Sequence, residues 1–261
     1  MSAPTRGAVV TGGGRGIGAV VARRLVEGGH RVVVAARSTA EIEGVATALR
    51  SGGAAAWAVP CDVTDPASIE ALFESARERL GSVDILVNNA GVASAAPIRR
   101  LELAEWNRLM AVNATGPFLC TKAVLPAMLE AGWGRVVNVA SVAALRGARY
   151  IAGYAASKHA LLGLTRAAAA EAARAGVTVN AVCPGYVDTP MTEGSIANIV
   201  DKTGLDEARA LETLLASTPQ HRLIGADEMA AVITFLCSDE ARGINGQAIA
   251  LDGGATSVLP G

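Results

Sequence analysis

The chain reads as an α/β protein built on a doubly wound parallel sheet, with helices on both faces. Three observations predict this. Short, near-continuous apolar runs alternate with amphipathic helical stretches along the whole length. The apolar runs lack the polar alternation of a half-exposed strand, so both of their faces are covered. A glycine-rich turn also joins the first apolar run to the first helical one, and consecutive parallel strands require right-handed crossovers.

The elements follow in order. Gly7–Thr11 is a strand, and the turn after it opens a helix from about Ile17 to Gly28. Arg31–Ala36 is a second strand, followed by a helix from Thr39 to Arg50, and Ala54–Val59 is a third strand. Asp65-Pro66 starts the next helix with a capping carboxylate and an early proline. Asp84–Val87 is the fourth strand, and one long helix is expected from Leu103 to Met128. Arg135–Ala140, a helix from Gly153 to Arg174, and Val177–Val182 come next. A helix from Ala226 to Cys237 and a strand from Gln247 to Leu251 close the pattern. The whole chain, 1–261, is expected to be one domain, with no linker and no repeat beyond the βα alternation. The alanine-rich run Ala167–Ala173 reads as buried helix. Between about Thr189 and Gly225 no strand is expected, only short helical patches such as Asp206–Ala216. An interval this long, at the carboxyl end of a strand, is read as a substrate lid.

Composition narrows the function. Hydrophobic residues make up 51% and charged residues 18%, which is globular, and the net charge is −1. No basic run points to nucleic acid, and no apolar stretch is long enough to span a bilayer. No secretory leader is visible, so the expected location is the cytoplasm. Cys61, Cys120, Cys183 and Cys237 lack metal-ligand spacing and read as core thiols of a reducing compartment. His30, His159 and His221 form no metal motif, and no metal is expected.

The turn Gly12-Gly13-Gly14-Arg15-Gly16-Ile17-Gly18 carries the first functional signal. Glycines let backbone approach a pyrophosphate closely, and the following helix N-terminus offers free N–H groups and a positive dipole end. A dinucleotide is the expected ligand. Ala36 and Arg37 stand where an acid would bind adenine ribose hydroxyls, and the next acid is Glu41. Arg37, with Arg15 from the other side, can receive a ribose 2′-phosphate, which favours NADPH over NADH. Asp62, beside Val63 at the end of the third strand, is placed to accept from an adenine amino group. Asn89, Ala90 and Gly91 end the fourth strand with a small backbone fit to pass near the cofactor. Asn88 and Asn89 are placed to tie neighbouring strands.

The second signal is Tyr154-Ala155-Ala156-Ser157-Lys158. Four residues is about one helical turn, so the phenol and the ammonium share a face. An adjacent ammonium is expected to lower the phenol's pKa from about 10 towards neutrality.

These residues, with Asn113, Ser141, Pro184, Gly185, Val187, Thr189 and Asp252-Gly253-Gly254 in the same order, resemble the short-chain dehydrogenase/reductase family over essentially the whole chain. The resemblance implies a Rossmann-like fold and a set of roles. Tyr154 would be the general acid in ketone reduction and the base in alcohol oxidation. Lys158 would lower its pKa and bind nicotinamide ribose hydroxyls. Ser141 would hydrogen-bond the substrate carbonyl, and Asn113 would hold a water of a proton relay. Val187 and Thr189 would fix the nicotinamide carboxamide. Within the family the chain is most similar to 3-oxoacyl-thioester reductases and polyketide ketoreductases, and also resembles 3-hydroxyacyl dehydrogenases.

The expected substrate pocket is Val92 and Ser94 after the fourth strand, Val142, Leu145 and Tyr150 after Ser141, then Tyr186 and Met191. It is mostly apolar, which fits an acyl or aryl ketone, as a CoA or carrier-protein thioester or free, better than a sugar. No fixed carboxylate-binding arginine is evident in it, though Arg146, Arg149 and Arg222 are placed in the sequence where they could reach in. The alternatives are an NAD(P)-dependent hydroxyacyl or secondary-alcohol dehydrogenase and a non-catalytic dinucleotide sensor; the complete Asn113, Ser141, Tyr154 and Lys158 set argues against the latter. The resemblance also implies a homotetramer assembled through Leu103–Met128, Gly153–Arg174 and the segment from Asp252 to Gly261.

Overall fold

The computed structural model describes residues 4–257. One seven-stranded parallel sheet runs through it in the order β3-β2-β1-β4-β5-β6-β7. The strands are β1 (Gly7–Thr11), β2 (Arg31–Ala36), β3 (Ala56–Pro60), β4 (Ile85–Asn88), β5 (Gly134–Val139), β6 (Val177–Pro184) and β7 (Ala248–Leu251). Strand order reverses between β1 and β4, which pair through Ala8–Ile85 and Val10–Val87. That reversal opens a crevice at the carboxyl ends of the strands, where such sheets take ligands. The five central strands are almost wholly buried, as the unbroken apolar runs require.

Helices cover the two faces. On one lie α1 (Gly16–Glu27), α2 (Thr39–Ser51) and α9 (Ala226–Leu236), whose Val21, Leu25, Ile42, Met229 and Ile233 pack on Val10, Val34 and Val137. On the other lie α3 (Pro66–Leu80), α5 (Gly116–Ala131) and α6 (Ala152–Ala172), bringing Leu72, Phe73, Val124 and Ala168 against Val9, Val33 and Val136. At the strands' amino ends Arg135 is buried. Its guanidinium donates to the carbonyls of Gly134, Gly176 and Ser238 and to Asp239, and stacks on Trp133.

Three expectations are corrected. The long helix from Leu103 to Met128 is broken: α4 (Leu103–Met110) passes through a π-helical turn, Ala111–Thr115, into α5. Pro117 explains why a regular helix cannot continue there, since it has no N–H to give the carbonyl four residues back. The interval after β6 is more helical than expected, with α7 (Pro190–Thr203) and α8 (Glu207–Leu215) in place of short patches. The alanine run is only half buried: Ala168, Ala169 and Ala172 face the sheet, while Ala167, Ala170 and Ala173 face outward. Among the described residues no helix is long and apolar enough to cross a membrane, and no group of His, Cys, Asp and Glu is placed to hold a metal ion.

Candidate active site

The crevice is stapled shut at its floor. Thr11 Oγ1 accepts from the N–H groups of Asn89 and Ala90 at 3.1 Å each. The Asn89 side chain donates to the carbonyls of Thr11 and Gly12 at 3.0 Å each. Asn88 donates to Asn138 at 2.9 Å, and Asn138 to Thr165 at 2.9 Å, carrying the polar chain through the sheet to α6. The asparagines therefore tie neighbouring strands, as the sequence indicates.

The glycine turn fits a pyrophosphate. Gly12 and Gly16 are left-handed, with φ of 64° and 53°. A Cβ on Gly18 would overlap the Gly12 carbonyl and come within 2.5 Å of Asn89 Nδ2. Arg15, at the N-cap of α1, makes no capping side-chain bond, whereas Ser38, Asp65 and Asp206 cap α2, α3 and α8. The first-turn N–H groups and dipole end of α1 are thus open to an anion. Ile17 packs into the core beneath.

The adenine end is less simple than its sequence. Arg15 is exposed and paired with Glu41 at 3.6 Å. Glu41 leans over the turn: a Cβ on Gly14 would meet its Cβ at 2.9 Å. An acid absent from the end of β2 is therefore supplied by the first turn of α2. Arg37 is exposed, and its charge reaches Asp62. Asp62 Oδ1 accepts from Thr64 N at 2.9 Å and Thr64 Oγ1 at 2.8 Å. These bonds, first among the causes, hold its carboxyl below the usual range. Val63 is buried against Gly116.

Ser141, Tyr154 and Lys158 converge at the carboxyl end of β5. Ser141 is extended and buried, and its Oγ accepts from Ala143 N at 3.1 Å to start a single 3-10 turn. Helix α6 presents Tyr154 and Lys158 on one face. Lys158 is buried, and its Nζ donates to the Val139 carbonyl at 2.9 Å. Burial lowers its pKa to about 8. The Tyr154 phenol lies beside the Ser141 side chain. Burial pushes its pKa up, with the Ser141 hydrogen bond opposing. This corrects the expected depression: Lys158 Nζ is 5.8 Å from the Tyr154 ring centroid and engaged elsewhere, so desolvation wins.

Asn113 sits in the π-helical turn, fully buried. Its Oδ1 accepts from Val92 N at 2.9 Å, and its Nδ2 donates to Val92 O at 2.9 Å and Ser157 Oγ at 3.0 Å. Its amide thus clamps the loop after β4 to α6. Gly91 passes over this point; a Cβ there would lie 3.4 Å from Asn113 Oδ1 and 3.6 Å from Lys158 Nζ. Ser157, which also donates to the Tyr154 carbonyl at 2.8 Å, was not singled out from the sequence. Its position three residues after Tyr154, on the same side of the helix and inside the Tyr-Lys stretch, was the available signal.

The rim comes from three loops. After β6, Pro184 and Gly185 run against Asp252, where a Cβ on Gly185 would meet Asp252 Cα at 3.2 Å. Val187 is buried and bridges Ile224, and its carbonyl accepts from Thr192 and Thr189. Thr189 faces the glycine turn, 3.4 Å from the Cβ position of Gly16. Tyr186, Met191, Leu145 and Tyr150 are exposed around the catalytic residues. Val142 is half-buried in the 3-10 turn. Ser94 is tied to Glu105 of α4. Arg222 does not reach in: it pairs with Glu228 at 2.6 Å, and His221 pairs with Glu212.

The glycine turn, the strand-end asparagines and the Ser-Tyr-Lys convergence are matched by a family model, short chain dehydrogenase, over residues 6–199. The chain belongs to the short-chain dehydrogenase family. A 3-oxoacyl-(acyl-carrier-protein) reductase of Salmonella typhimurium is 39% identical, over 99% of this chain and 100% of that one. A cis-4-hydroxycyclohexanecarboxylate dehydrogenase of Sinomonas cyclohexanicum is 43% identical, over 97% of each. A D-beta-hydroxybutyrate dehydrogenase of Rhizobium meliloti is 35% identical, over 97% of this chain and 99% of that one. Among solved structures, an actinorhodin polyketide ketoreductase variant with NADPH superposes with a TM-score of 0.93 at 39% identity, covering 97% of this chain and 98% of that one. As a member of this family the chain is an oxidoreductase acting on hydroxyl or ketone groups.

Proposed function

We propose that this short-chain dehydrogenase is an NADPH-dependent reductase of a ketone, with a 3-oxoacyl thioester or a polyketide-like or aryl ketone as substrate class. The observation that carries the reading is the convergence of Ser141, Tyr154 and Lys158 at the carboxyl end of β5, across the cleft from the uncapped glycine turn. The nicotinamide cofactor, when bound, supplies the hydride. Ser141 and Tyr154 donate hydrogen bonds to the substrate oxygen as negative charge develops there, and Tyr154 then gives that oxygen its proton. Lys158, 5.8 Å from the Tyr154 ring centroid, offsets only part of the charge on the phenolate that remains, since burial outweighs it in the free cleft. Lys158 is also the residue to hold the nicotinamide ribose, and Val187 and Thr189 the carboxamide. Asn113's amide is already committed, so a relay water is assigned to its backbone carbonyl.

Arg15 and Arg37 are the residues for a 2′-phosphate. The names of the acyl-carrier-protein reductase and the NADPH-bound ketoreductase support the same reading. A second reading, oxidation of a hydroxy acid or secondary alcohol with NAD, is favoured by Glu41 lying across Arg15 and by the two relatives named as dehydrogenases. We place the enzyme in the cytoplasm as a homotetramer, with residues 189–225 as its lid. Leu103, Trp106 and Phe118, exposed on α4 and α5, support such an assembly; residues 258–261 of the expected C-terminal contact lie outside the described residues. The test is the initial rate of NADPH and NADH oxidation with an acetoacetyl thioester beside cyclic and aryl ketones. Thioester reduction with NADPH preferred supports the first reading. Preference for NADH, with alcohols oxidised faster, transfers support to the second.

A further inference from the structure

The loop between Ser141 and α6, residues 145–151, carries two arginines that nothing in the proposed chemistry uses. Arg149 donates to the Tyr150 hydroxyl at 3.0 Å, and its guanidinium lies 5.1 Å from that ring's centroid. Tyr150 is held with φ of 71°, a left-handed conformation rare for a side chain of this size. Its carbonyl is pinned by Ala96 N at 2.7 Å, which ties this loop to the one after β4. Backbone strain of about 1–3 kcal/mol clusters at ligand sites. Here it fixes the direction of a half-exposed phenol and of the guanidinium that bonds it.

Arg146 is held at the same loop by its N–H, which donates to the Val142 carbonyl at 3.1 Å. Its charge reaches the Tyr186 phenol and opposes the rise that burial causes there. Tyr186 in turn is close enough to Tyr154 to act on it. Among the described residues neither arginine is in an ion pair, and Arg149 makes its one side-chain hydrogen bond to Tyr150. The acid nearest the opposite rim, Glu105, is occupied by Arg108, which with Ser94 holds its carboxyl at about 2. Asp188, two residues after Tyr186, is exposed and also in no ion pair. Around the arginines Leu145, Tyr150, Tyr186 and Met191 leave apolar surface in solvent.

We infer that Arg146 and Arg149 form an anion subsite at the mouth of the cleft, so that the substrate is an apolar ketone or alcohol carrying an anionic group. The inference rests on the reductase or dehydrogenase reading above and names its substrate class. Guanidinium groups match carboxylate and phosphate oxygens equally. The anion is therefore either the carboxylate of a free oxo or hydroxy acid or the phosphate of a pantetheine-type thioester arm.

The experiment measures kcat and KM for two matched pairs: acetoacetate against its methyl ester, and acetoacetyl-CoA against the N-acetylcysteamine thioester. Wild type is compared with R146Q, R149Q and the double variant. In parallel, calorimetry on nucleotide-loaded enzyme compares cyclohexanecarboxylate with cyclohexanecarboxamide, which needs no turnover. The expected result is that wild type favours the charged member of one pair by about tenfold or more in kcat/KM. The double variant loses most of that ratio through KM, and lysine at both positions restores part of it. Discrimination in the first pair identifies a carboxylate, and in the second a phosphate. Equal use of charged and neutral members, or discrimination that survives the double variant, overturns the subsite. Turnover of neutral substrates with no charge preference sinks the subsite and leaves the reductase reading intact. No turnover of any substrate sinks that reading; carboxylate binding that weakens in the double variant then still supports the subsite, and equal binding of carboxylate and carboxamide overturns it.

Discussion

The floor of the cleft and its rim are built on opposite terms. On the floor, Asn113, Ser157 and Lys158 are buried, and each of their polar side-chain groups has a partner within 3.0 Å. On the rim, Leu145, Tyr150, Tyr186 and Met191 are exposed, and among the described residues Arg146 and Arg149 are in no ion pair. A buried polar group left without a partner costs about 1–3 kcal/mol, so the floor has one arrangement it can hold. The rim has no such constraint and is free to vary with the ligand it meets. On the function proposed above, reaction type belongs to the first region and substrate choice to the second.

The sharpest way to break this division is at Tyr154. Replacing it with Phe removes the proton donor, and turnover should fall by about 10²–10⁴-fold. Nucleotide affinity, measured by fluorescence titration, should change by less than about threefold. Retained turnover would move the chemistry off the floor altogether.

Next in size is Asn113→Ala. It strips both bonds from the Val92 backbone and one from Ser157, in a fully buried position. A loss of about 2–4 kcal/mol in denaturant unfolding is expected. A loss below about 1 kcal/mol would mean the clamp is slack and the floor less fixed than its bonds imply.

Lys158 adds a pH signature. Its folded pKa is lowered to about 8 by burial, while the unfolded value stays near the ordinary 10.5 of a lysine. Between these values the unfolded chain binds more protons than the folded one. Stability contributed by this group therefore rises from pH 8 upward and is weakest below pH 8. Above about pH 10 the raised Tyr154 works in the other direction, because the folded chain then holds the extra proton. The difference in unfolding free energy between wild type and K158M should shift by about 2 kcal/mol in favour of wild type from pH 7.5 to 10. A flat difference would show that the ammonium is solvated after all.

The smallest effect belongs to the exposed pair Arg15 and Glu41. Glu41→Gln should tighten NADPH binding by about two- to fivefold, less at high salt, with little change for NADH. Equal tightening of both nucleotides would place Glu41 by the shared pyrophosphate and not by the 2′-phosphate.

The sequence carried the floor because its parts are local or periodic. One helical turn puts Tyr154 and Lys158 on the same face, and glycine marks backbone that a Cβ would block at 12 and 18 and a left-handed φ at 16. Apolar runs without alternation determined a parallel sheet, and the strand ends followed to within about two residues. Three things were decided only in the folded molecule, each because it depends on what lies across space. Glu41 reaches Arg15 from another element, so the charge at the adenine end differs from what β2 alone implies. The Tyr154 pKa moves up because burial outweighs an ammonium that is turned to Val139. Ser157 matters because Asn113, 44 residues earlier, is folded against it. Spacing along the chain sets which side chains share a face, while desolvation and charge pairing depend on which elements then pack against that face.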